Sequence, residues 1–286
     1  MVLRRELFRK VTIIGVGLIG GSLGMALKKL NLVREVVGLS QRHSTLVYAI
    51  KNQVIDQGFT DFKQALNNAD LVILATPVST ILKLIPQIAP FLKRNCIVTD
   101  VGSTKVSIVA AAEKHLPTFP FFIGGHPLAG SEKRGATYAH LQLFENAICI
   151  LTPTEKTNQL AREKVRHLWI QLGAQVKFLS PDEHDRILAF MSHMPHLLAY
   201  ALMEVVPPSY LEFASQGIKD MTRIAASSAE MWSEICTDND NHTVHALDQL
   251  VAGLSAFRKA IVSKNAQSLL ESFQKAKTKR DSLENR

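Results

Sequence analysis

VTIIGVGLIGGSLGMALKK, residues 11–29, admits two interpretations of how this chain begins. A basic segment, MVLRRELFRK, precedes it and its first 17 residues carry no charge, which is typical of a secretory signal peptide. However, two lysines and a second strand-like segment follow where a small-residue cleavage site would stand, and the stretch is too short and glycine-rich for a membrane span. Gly15, Gly17 and Gly20 form a G-x-G-x-x-G between a β-branched run and a helix-favouring run, which favours a nucleotide-binding fold.

Each glycine of this motif has a predicted task. Gly15 permits the tight turn, Gly17 lets a pyrophosphate approach the backbone, and Gly20 lets helix and strand pack closely. The helix that follows would offer its free amide groups to the phosphates. The predicted cofactor contacts in this motif are Gly15, Gly17, Leu18, Ile19 and Gly20.

The composition is that of an ordinary globular protein. The chain has 286 residues, enough for two domains, and is 47% hydrophobic and 20% charged. Its three cysteines, Cys96, Cys149 and Cys236, match neither a zinc spacing nor a disulfide framework, which favours a reducing compartment. We therefore expect a cytoplasmic protein with no membrane partner.

The formal net charge is +8, which raises the question of a nucleic-acid partner. The lysines and arginines are dispersed, without a basic block or interleaved aromatic residues, so we expect no nucleic-acid binding. An excess of positive charge also suits an enzyme whose cofactor and substrate are both anions.

Short apolar runs alternate with amphipathic stretches up to about residue 180. The predicted strands are VTII, EVVGL, DLVILAT, NCIVTD, AICILT and AQVKFL. This alternation is typical of an α/β fold with a doubly wound parallel sheet. We therefore predict a Rossmann-type dinucleotide-binding domain over residues 1–179 and an all-helical domain over residues 180–286.

The helical half carries its own signals. Ser180 and Glu183 predict a capping box at a helix start, and Pro195 inside that helix predicts a kink before the chain reaches Pro207. Further along, a second set of apolar residues falls near one face of a long helix. This set is Leu247, Leu250, Leu254, Phe257, Ile261 and Phe273.

The choice of cofactor depends on the end of the second predicted strand. An NAD site usually has an acidic residue about 20 positions after the glycines, to bind the ribose 2′-hydroxyl. Here Ser40 occupies that position and no acidic residue appears between Ser40 and Asp56, while Arg42 could bind a 2′-phosphate. NADP is therefore favoured over NAD, although a polar loop that merely follows a strand is the alternative. The further predicted cofactor contacts are Ser40, Gln41, Arg42, Ser44, Thr45, Thr76 and Pro77.

Three other stretches carry candidate chemistry. TDVGSTK, residues 99–105, follows a predicted strand at the end where α/β sheets place their ligands. GGHPLAGSEKRG places His126 in what we predict to be a glycine-rich loop, where a histidine is more often functional than structural. SHMPH places His193 and His196 one helical turn apart, either as buried structural residues or as ligand contacts.

The motifs GVGLIGGSL, DVGSTK, GGHPLAGSEKRG, DEHDRILAFMSHMPH and KDMTRI, in this order, resemble the prephenate/arogenate dehydrogenase family of tyrosine biosynthesis. The resemblance runs from about residue 11 to beyond residue 230. It implies a small-molecule substrate, a helical domain that forms a homodimer, and NAD(P)-dependent oxidative decarboxylation of prephenate to 4-hydroxyphenylpyruvate. Neither the residues nor the resemblance points to a metal ion.

The resemblance also implies roles for single residues. His126 would be the base that takes the proton of the ring hydroxyl, and Ser103 would hydrogen-bond near that hydroxyl and the nicotinamide. Arg223 would clamp a substrate carboxylate. Asp220 and Glu132 would hold Arg223 or gate the site, with plain surface charge as the alternative.

His196 bears on the choice of substrate. Members of the family that lack this second histidine favour arogenate, so its presence favours prephenate, with arogenate as a second substrate or as the alternative. His193 is a further substrate-contact candidate. Ser40 departs from the common family pattern, which puts NAD in doubt and leaves the reaction unchanged.

Two other functions remain as alternatives. A dehydrogenase of the β-hydroxyacid or imine-reducing type also combines a Rossmann domain with helices, but it usually relies on a lysine in the helical half. A non-catalytic NADP sensor is the alternative from another class, and it would have no need of a hydroxyl base.

Overall fold

The computed structural model describes residues 6–116, 121–130, 133 and 135–283. Across these ranges the chain forms one mixed sheet flanked by helices, followed by a run of helices. The backbone contacts divide it into two compact units, the first ending at Asp240 and the second beginning at Asn241. The sheet and the first helices after it therefore lie in the same unit.

The sheet has eight strands in the described part of the chain. They are β1 (Phe8–Ile14), β2 (Val33–Leu39), β3 (Gln57–Phe59), β4 (Leu71–Leu74), β5 (Ile97–Asp100), β6 (Phe121–Pro127), β7 (Ile148–Thr152) and β8 (Gln175–Phe178). Their order is β3-β2-β1-β4-β5-β6-β7-β8, and every neighbouring pair from β3 to β6 is parallel. The chain thus starts in the middle of the sheet and winds to both sides, which confirms the predicted doubly wound architecture.

One strand departs from the predicted parallel sheet. β7 runs antiparallel to β6, with Gly124 opposite Thr152, and β8 is again parallel to β7. Parallel neighbours need a crossover, which is usually a helix. Between β6 and β7 the described residues contain only the 3₁₀ turn Ala136–Tyr138, so the chain returns beside β6 in the opposite direction.

Twelve α-helices occur in the described ranges. They are α1 (Leu18–Lys29), α2 (His43–Lys51), α3 (Phe62–Leu66), α4 (Val78–Ile88), α5 (Val106–His115), α6 (Gln159–Gln171), α7 (Pro181–Leu188), α8 (Met194–Val205), α9 (Gln216–Thr222), α10 (Ala229–Asp238), α11 (Asp240–Val262) and α12 (Ala266–Asp281). Short 3₁₀ turns lie at Ala89–Phe91, Pro208–Phe213 and Arg223–Ala226.

Two buried clusters cover the two faces of the sheet. Ile13 of β1 packs with α1, α2 and α6 on one face, while its neighbour Ile14 packs with α3, α4 and α5 on the other. The same alternation holds for Val36 and Val37 of β2. Because successive strand side chains point to opposite faces, a sheet covered on both sides needs runs of apolar residues such as VTII rather than alternating ones.

The helix predicted after Ser180 is present, with an interruption. Ser180 accepts a hydrogen bond from the amide of Glu183, and the Glu183 carboxylate accepts one from the amide of Ser180, which is the predicted capping box. A π-helical turn at Ala189–His193 separates α7 from α8. Pro195 near the start of α8 cannot donate to the preceding turn, and the wider turn accommodates this loss.

The second unit consists of α11 and α12. The sequence predicted that Phe273 shares one long helix with the other apolar residues, but Phe273 lies on α12, after a turn in which Lys264 adopts a φ of 52°. Phe257 and Phe273 contact each other across the two helices, with ring centroids 5.6 Å apart. No helix within the described ranges is long and apolar enough to cross a membrane.

Candidate active site

A cavity of about 450 Å³ opens at the carboxyl ends of β1, β4 and β5. The glycine motif, the end of β4, the segment after β5, the end of β6 and helix α10 all contribute to its wall. The lining residues include Gly17, Leu18, Ile19, Thr76, Pro77, Ser103, His126 and Glu234. This is the position where doubly wound sheets bind their ligands.

The glycine turn has the geometry predicted from the sequence. Gly15 adopts a φ of +98°, a conformation that side chains disfavour, and a Cβ there would lie 2.5 Å from the Ala75 carbonyl oxygen. A Cβ on Gly20 would lie 2.1 Å from the Gly15 carbonyl oxygen. A Cβ on Gly17 would meet nothing within 4 Å, because this residue borders the cavity.

The groups around this turn fit a dinucleotide phosphate. Among the described residues, no side chain caps the start of α1 and no acidic residue lies in its first turn. Leu18 and Ile19 belong to that first turn and line the cavity. The Thr76 hydroxyl is buried there with no hydrogen-bond partner in the described part of the chain. Uncapped amides and an unpaired hydroxyl suit a bound anion with ribose or phosphate oxygens.

The five residues predicted to bind the ribose end of the cofactor lie between the end of β2 and the first turn of α2, and they are absent from the cavity wall. Ser40 follows β2, and its hydroxyl accepts a hydrogen bond of 3.2 Å from the amide of Arg42. Gln41, Arg42 and Ser44 are exposed, and Thr45 is half-buried.

Asp56, the first acidic residue after Ser40, lies away from the end of β2. Its carboxylate accepts hydrogen bonds from the amide of Val36, in the middle of β2, and from Lys28 on α1. Asp61 caps α3 through the amides of Lys63 and Gln64. Neither carboxylate follows β2 directly.

His126 and Ser103 both line the cavity. The sequence predicted a loop around His126, but His126 is the sixth residue of β6, paired with Ile150 of β7. The preceding PFFI run is the β signal that the prediction overlooked. A strand holds the imidazole more rigidly than a loop would, which suits a residue that must meet a reacting atom.

A hydrogen-bonded chain fixes which nitrogen of His126 is left as a proton acceptor. Nδ1 of His126 lies 2.8 Å from Nε2 of His184, and Nδ1 of His184 lies 2.7 Å from Oδ1 of Asp185. Asp185 accepts, so His184 donates from Nδ1 and accepts at Nε2 from His126. The neutral His126 ring therefore keeps its lone pair on Nε2. We did not assign His184 or Asp185 a role from the sequence, although both lie in the DEHD segment beside the capping box.

Burial keeps both histidines neutral. Burial is the largest cause that lowers the pKa of His126 well below its usual range, and the neighbouring His184 and the positive charge of Lys105 lower it further. Burial, with the Lys105 charge as the second cause, lowers the pKa of His184 to about 2. A neutral imidazole is the form that accepts a proton.

Helix α10 closes the cavity from the helical side. The Asp238 carboxylate accepts hydrogen bonds from the hydroxyls of Thr104 (2.6 Å) and Ser107 (2.7 Å). Glu234 accepts a hydrogen bond from the amide of Ser79, at the start of α4, at 3.4 Å. The sequence predicted none of these contacts, because residues of an amphipathic helix give no sign of which distant loop they meet.

The predicted substrate contacts of the helical half lie apart from the cavity wall. His193 is 1% exposed and lies 3.2 Å from the side-chain amide of Asn239. His196 stacks on Trp232 with ring centroids 3.5 Å apart. Asp220 accepts a hydrogen bond from Gln216.

Arg223 and His196 are brought together, since the turn Arg223–Ala226 packs against α8. The Arg223 charge is one of the causes that lower the pKa of His196, after burial, while the Ser192 carbonyl opposes them. Glu132 lies outside the described residues. Among the described residues, no three His, Cys, Asp or Glu side chains converge to hold a metal ion.

The hydrogen bond of His196 restricts its role. Nδ1 of His196 lies 2.9 Å from the Ser192 carbonyl oxygen, so this nitrogen donates. In the neutral ring Nε2 is then an acceptor, and it donates only when the ring is protonated.

Two family models match the chain. The model described as "Prephenate dehydrogenase, nucleotide-binding domain" matches residues 23–178, and "Prephenate dehydrogenase, dimerization domain" matches residues 180–275. The chain belongs to the prephenate dehydrogenase family. This confirms the resemblance drawn from the motifs and decides against the β-hydroxyacid and imine-reducing families.

Individual relatives agree with this assignment. The prephenate dehydrogenase of Bacillus subtilis is 36% identical over 96% of this chain and 76% of its own length. The cyclohexadienyl dehydrogenase of Zymomonas mobilis is 31% identical over 96% of both chains. The crystal structure of the Aquifex aeolicus prephenate dehydrogenase, with hydroxyphenyl propionate and NAD⁺, is 30% identical with a TM-score of 0.90, covering 99% of this chain and all of the other. The chain is therefore an enzyme of a nicotinamide-dependent dehydrogenase family.

Proposed function

We propose that this chain catalyses the oxidative decarboxylation of prephenate to 4-hydroxyphenylpyruvate in tyrosine biosynthesis, with a nicotinamide dinucleotide as hydride acceptor. The observation that carries the proposal is the shared cavity of the glycine turn, Ser103 and His126, in which the hydrogen-bonded chain leaves Nε2 of His126 as the acceptor. A phosphate cradle and a neutral base are thus adjacent, as oxidation of an alcohol requires.

The chemistry divides between cofactor and protein. The bound nicotinamide supplies the acceptor for the hydride that leaves the hydroxyl-bearing ring carbon. His126 takes the hydroxyl proton at Nε2, and Ser103 holds the same oxygen by a hydrogen bond. The bond to the ring carboxylate then breaks, carbon dioxide leaves, and the bonding electron pair completes the aromatic ring, while the former carbonyl oxygen takes a proton to become the phenol.

The substrate carboxylates need a cation, and we propose Arg223 for one of them. It lies at the start of a 3₁₀ turn beside α8, in electrostatic reach of His196. A guanidinium holds a carboxylate through two parallel hydrogen bonds, which fixes orientation as well as affinity. The roles proposed for His193, Asp220 and Glu132 are to position this side of the substrate.

We propose NADP as the preferred cofactor, with NAD as the alternative. In favour of NADP, Arg42 stands exposed after β2, and no acidic residue lies between Ser40 and Asp56. A carboxylate at that place would repel a 2′-phosphate, whereas a guanidinium attracts it.

Arogenate is the second candidate substrate, and His196 gives the reason. Prephenate carries a keto group where arogenate carries an ammonium group. A neutral His196 offers an acceptor at Nε2, which suits an ammonium donor, and only the protonated ring would donate to a keto acid.

The assembly and location are part of the same proposal. We propose that residues 1–179 bind the cofactor, that residues 180–286 form the helical domain, and that this domain joins two copies in a cytoplasmic homodimer. The second unit leaves apolar side chains at its surface, with Leu254 50% and Ile261 63% exposed. Exposed aliphatic residues grouped on one helix favour a protein interface.

The test is a turnover assay with prephenate and arogenate, each offered with NADP and with NAD, following the reduced nicotinamide. We expect turnover of prephenate, faster with NADP. Turnover of arogenate but not prephenate would support the mechanism and would identify arogenate as the substrate instead of prephenate. Binding of NADP without turnover of either substrate would contradict the proposal and favour the sensor.

A further inference from the structure

The TDVGSTK segment contains a buried ion pair next to the candidate base. Asp100 is the last residue of β5, Lys105 immediately precedes α5, and their side chains form a salt bridge with 0% exposure on both sides. Removing two charges from water is so costly that a buried ion pair contributes little net stability. Its position therefore suggests a role in the site rather than in the fold.

Asp100 holds the backbone on both sides of the cavity. Its Oδ2 accepts a hydrogen bond of 2.8 Å from the amide of Gly102, and its Oδ1 accepts one of 3.1 Å from the amide of Gly125. Gly102 directly precedes Ser103, and Gly125 directly precedes His126. One carboxylate thus joins the two segments that carry the hydroxyl-binding residues.

Both glycines allow this close approach. A Cβ on Gly102 would lie 3.0 Å from Oδ2 of Asp100, and a Cβ on Gly125 would lie 2.9 Å from the Asp100 carbonyl oxygen. A larger residue at either position would push the backbone away from Asp100. The spacing of Ser103 from His126 is therefore coupled to the carboxylate between them.

Lys105 completes a closed ring of hydrogen bonds. Its amide donates to Oδ1 of Asp185 at 2.7 Å, while its ammonium group binds Asp100. Asp185 accepts a hydrogen bond from His184, and His184 accepts one from His126. Asp100 accepts one from the amide of Gly125, the residue before His126. The ring joins β5, β6, the start of α5 and α7, so a change at one member moves the others.

Resting on the function proposed above, we propose that Asp100 and Lys105 are positioning residues for the oxidation step. Asp100 sets the spacing of Ser103 from His126, and Lys105 holds the Asp100 carboxylate with an ammonium group whose charge opposes protonation of His126.

The charges around His126 support this division of roles. The titratable groups that face it or its hydrogen-bond partner are Lys105 and Asp100, Cys149 on β7, His184 and Asp185 on α7, and His193 in the π-helical turn. After burial and His184, the Lys105 charge is the next cause that lowers the pKa of His126. Loss of the ammonium group should therefore raise the pKa of His126 toward its ordinary value.

Two variants separate geometry from charge. Asp100→Asn with Lys105→Met removes both charges without leaving either one unpaired, and it leaves one backbone amide without its acceptor. We expect kcat/KM for prephenate to fall by about 10²-fold, as for a reacting group displaced by about 1 Å, with the Kd of the cofactor unchanged. Lys105→Gln keeps the Asp100 side chain as the acceptor for both amides but leaves it without its cation, which lowers stability. Because the spacing of Ser103 from His126 is kept, we expect a smaller loss of kcat/KM.

The pH profile of kcat/KM is the measurement that a purely structural role of these residues would not change. The base must be neutral, so activity is lost as the pH falls through the pKa of His126. In the parent enzyme the acidic limb of kcat/KM should lie below pH 6.5, the ordinary histidine value. In both variants the limb should move to higher pH. An unmoved limb in variants that are folded by circular dichroism would overturn the proposal.

A second ion pair in the same sheet provides a matched control. Asp70 precedes β4, accepts hydrogen bonds from the amides of Arg9 (2.8 Å) and Lys10 (3.2 Å), and pairs with Lys93. It also joins a carboxylate to two backbone amides and a lysine, at the amino ends of the strands and away from the cavity, although its side chains are 27% and 37% exposed. Asp70→Asn with Lys93→Met should change stability and leave the pH profile as it is.

A direct titration separates this proposal from the proposed function. Nuclear magnetic resonance of histidine-labelled protein, with the His126 signal assigned from a His126→Asn variant, measures the pKa of His126 without turnover. A higher pKa in Lys105→Gln supports the role of Lys105 even if the parent fails to oxidise prephenate, which would refute the proposed function alone. If the pKa of His126 is the same in Lys105→Gln and in the parent, the proposed role of Lys105 is overturned. This test does not need the double variant, so it remains valid if the double variant does not fold.

Discussion

At the scale of single residues, the site depends on the order of donors and acceptors. Asp185 accepts hydrogen bonds from the amides of Lys105 and Val106 and from His184, so every member of the chain up to His126 has a defined direction. Reversing one bond would place a proton on the Nε2 that must accept one. In the other tautomer of His126, Nε2 would carry the proton and the ring could not accept one from the substrate there.

His126→Asn tests the base itself. Asparagine keeps a polar group on β6 and cannot take a proton, so we expect kcat to fall by about 10²–10⁴-fold, the usual range for loss of a general base. The Kd of the cofactor should stay as in the parent, since His126 lies on β6 and its proposed role is toward the substrate hydroxyl. Steady-state kinetics and fluorescence titration of the reduced cofactor provide the two values. Unchanged turnover would refute the role of His126.

Arg42→Ala tests the choice of cofactor. If the guanidinium binds the 2′-phosphate, the KM for NADP should rise about tenfold or more, which is the cost of a lost hydrogen bond to a charged group. The KM for NAD should not change, because NAD carries no 2′-phosphate. The measurement with NAD is therefore the control for the measurement with NADP. An equal effect on both cofactors would contradict the NADP assignment.

At the scale of elements, α7 and α10 bring helical residues to a sheet edge. The capping box at Ser180 fixes where α7 starts and thereby which of its residues reach β6. The π-helical turn then changes the direction of the chain before α8. Because α10 is tied to α5 and α4 through Asp238 and Glu234, the cavity has a helical wall opposite the glycine turn.

Ser180→Ala tests the start of α7. The variant loses the side-chain acceptor for the amide of Glu183, and we expect the free energy of unfolding to fall by about 1 kcal/mol in urea denaturation. Ser272→Ala on α12 is the control, since its hydroxyl bonds only a carbonyl of its own helix and its loss should have little effect. A parent-like stability of Ser180→Ala would show that the box does not stabilise the folded state.

At the scale of the whole molecule, the exposed apolar residues of α11 bear on assembly. The isolated chain leaves Leu254 and Ile261 in water, and a second copy would bury them. Leu254→Asp should shift the protein from dimer to monomer in sedimentation velocity, because a charge would have to be desolvated at the interface. Gln249→Asp, an exposed polar position of the same helix, should leave the dimer intact. A monomeric parent protein would contradict the homodimer.

The succession of elements was predictable because it depends on local patterns. The strands VTII and DLVILAT, the G-x-G-x-x-G turn and the capping box at Ser180 were each placed correctly from neighbouring residues alone. The strand β6 was missed, since two glycines at its end resemble a loop, and the short edge strand β3 gives little pattern. The place of Phe273 was wrong because a turn of three residues leaves the helical period nearly intact.

By itself, the sequence determined the doubly wound fold, the family and the candidate base, since apolar periodicity, glycine spacing and ordered motifs are properties of contiguous residues. Only the tertiary structure decided the antiparallel β7, the chain from His126 through His184 to Asp185, and the clamp of Asp100 on Gly102 and Gly125. These contacts join residues from 22 to 58 positions apart, or lie between neighbours whose side chains orient only in the fold. Their directions follow from the packing of β5, β6 and α7, which no local pattern encodes.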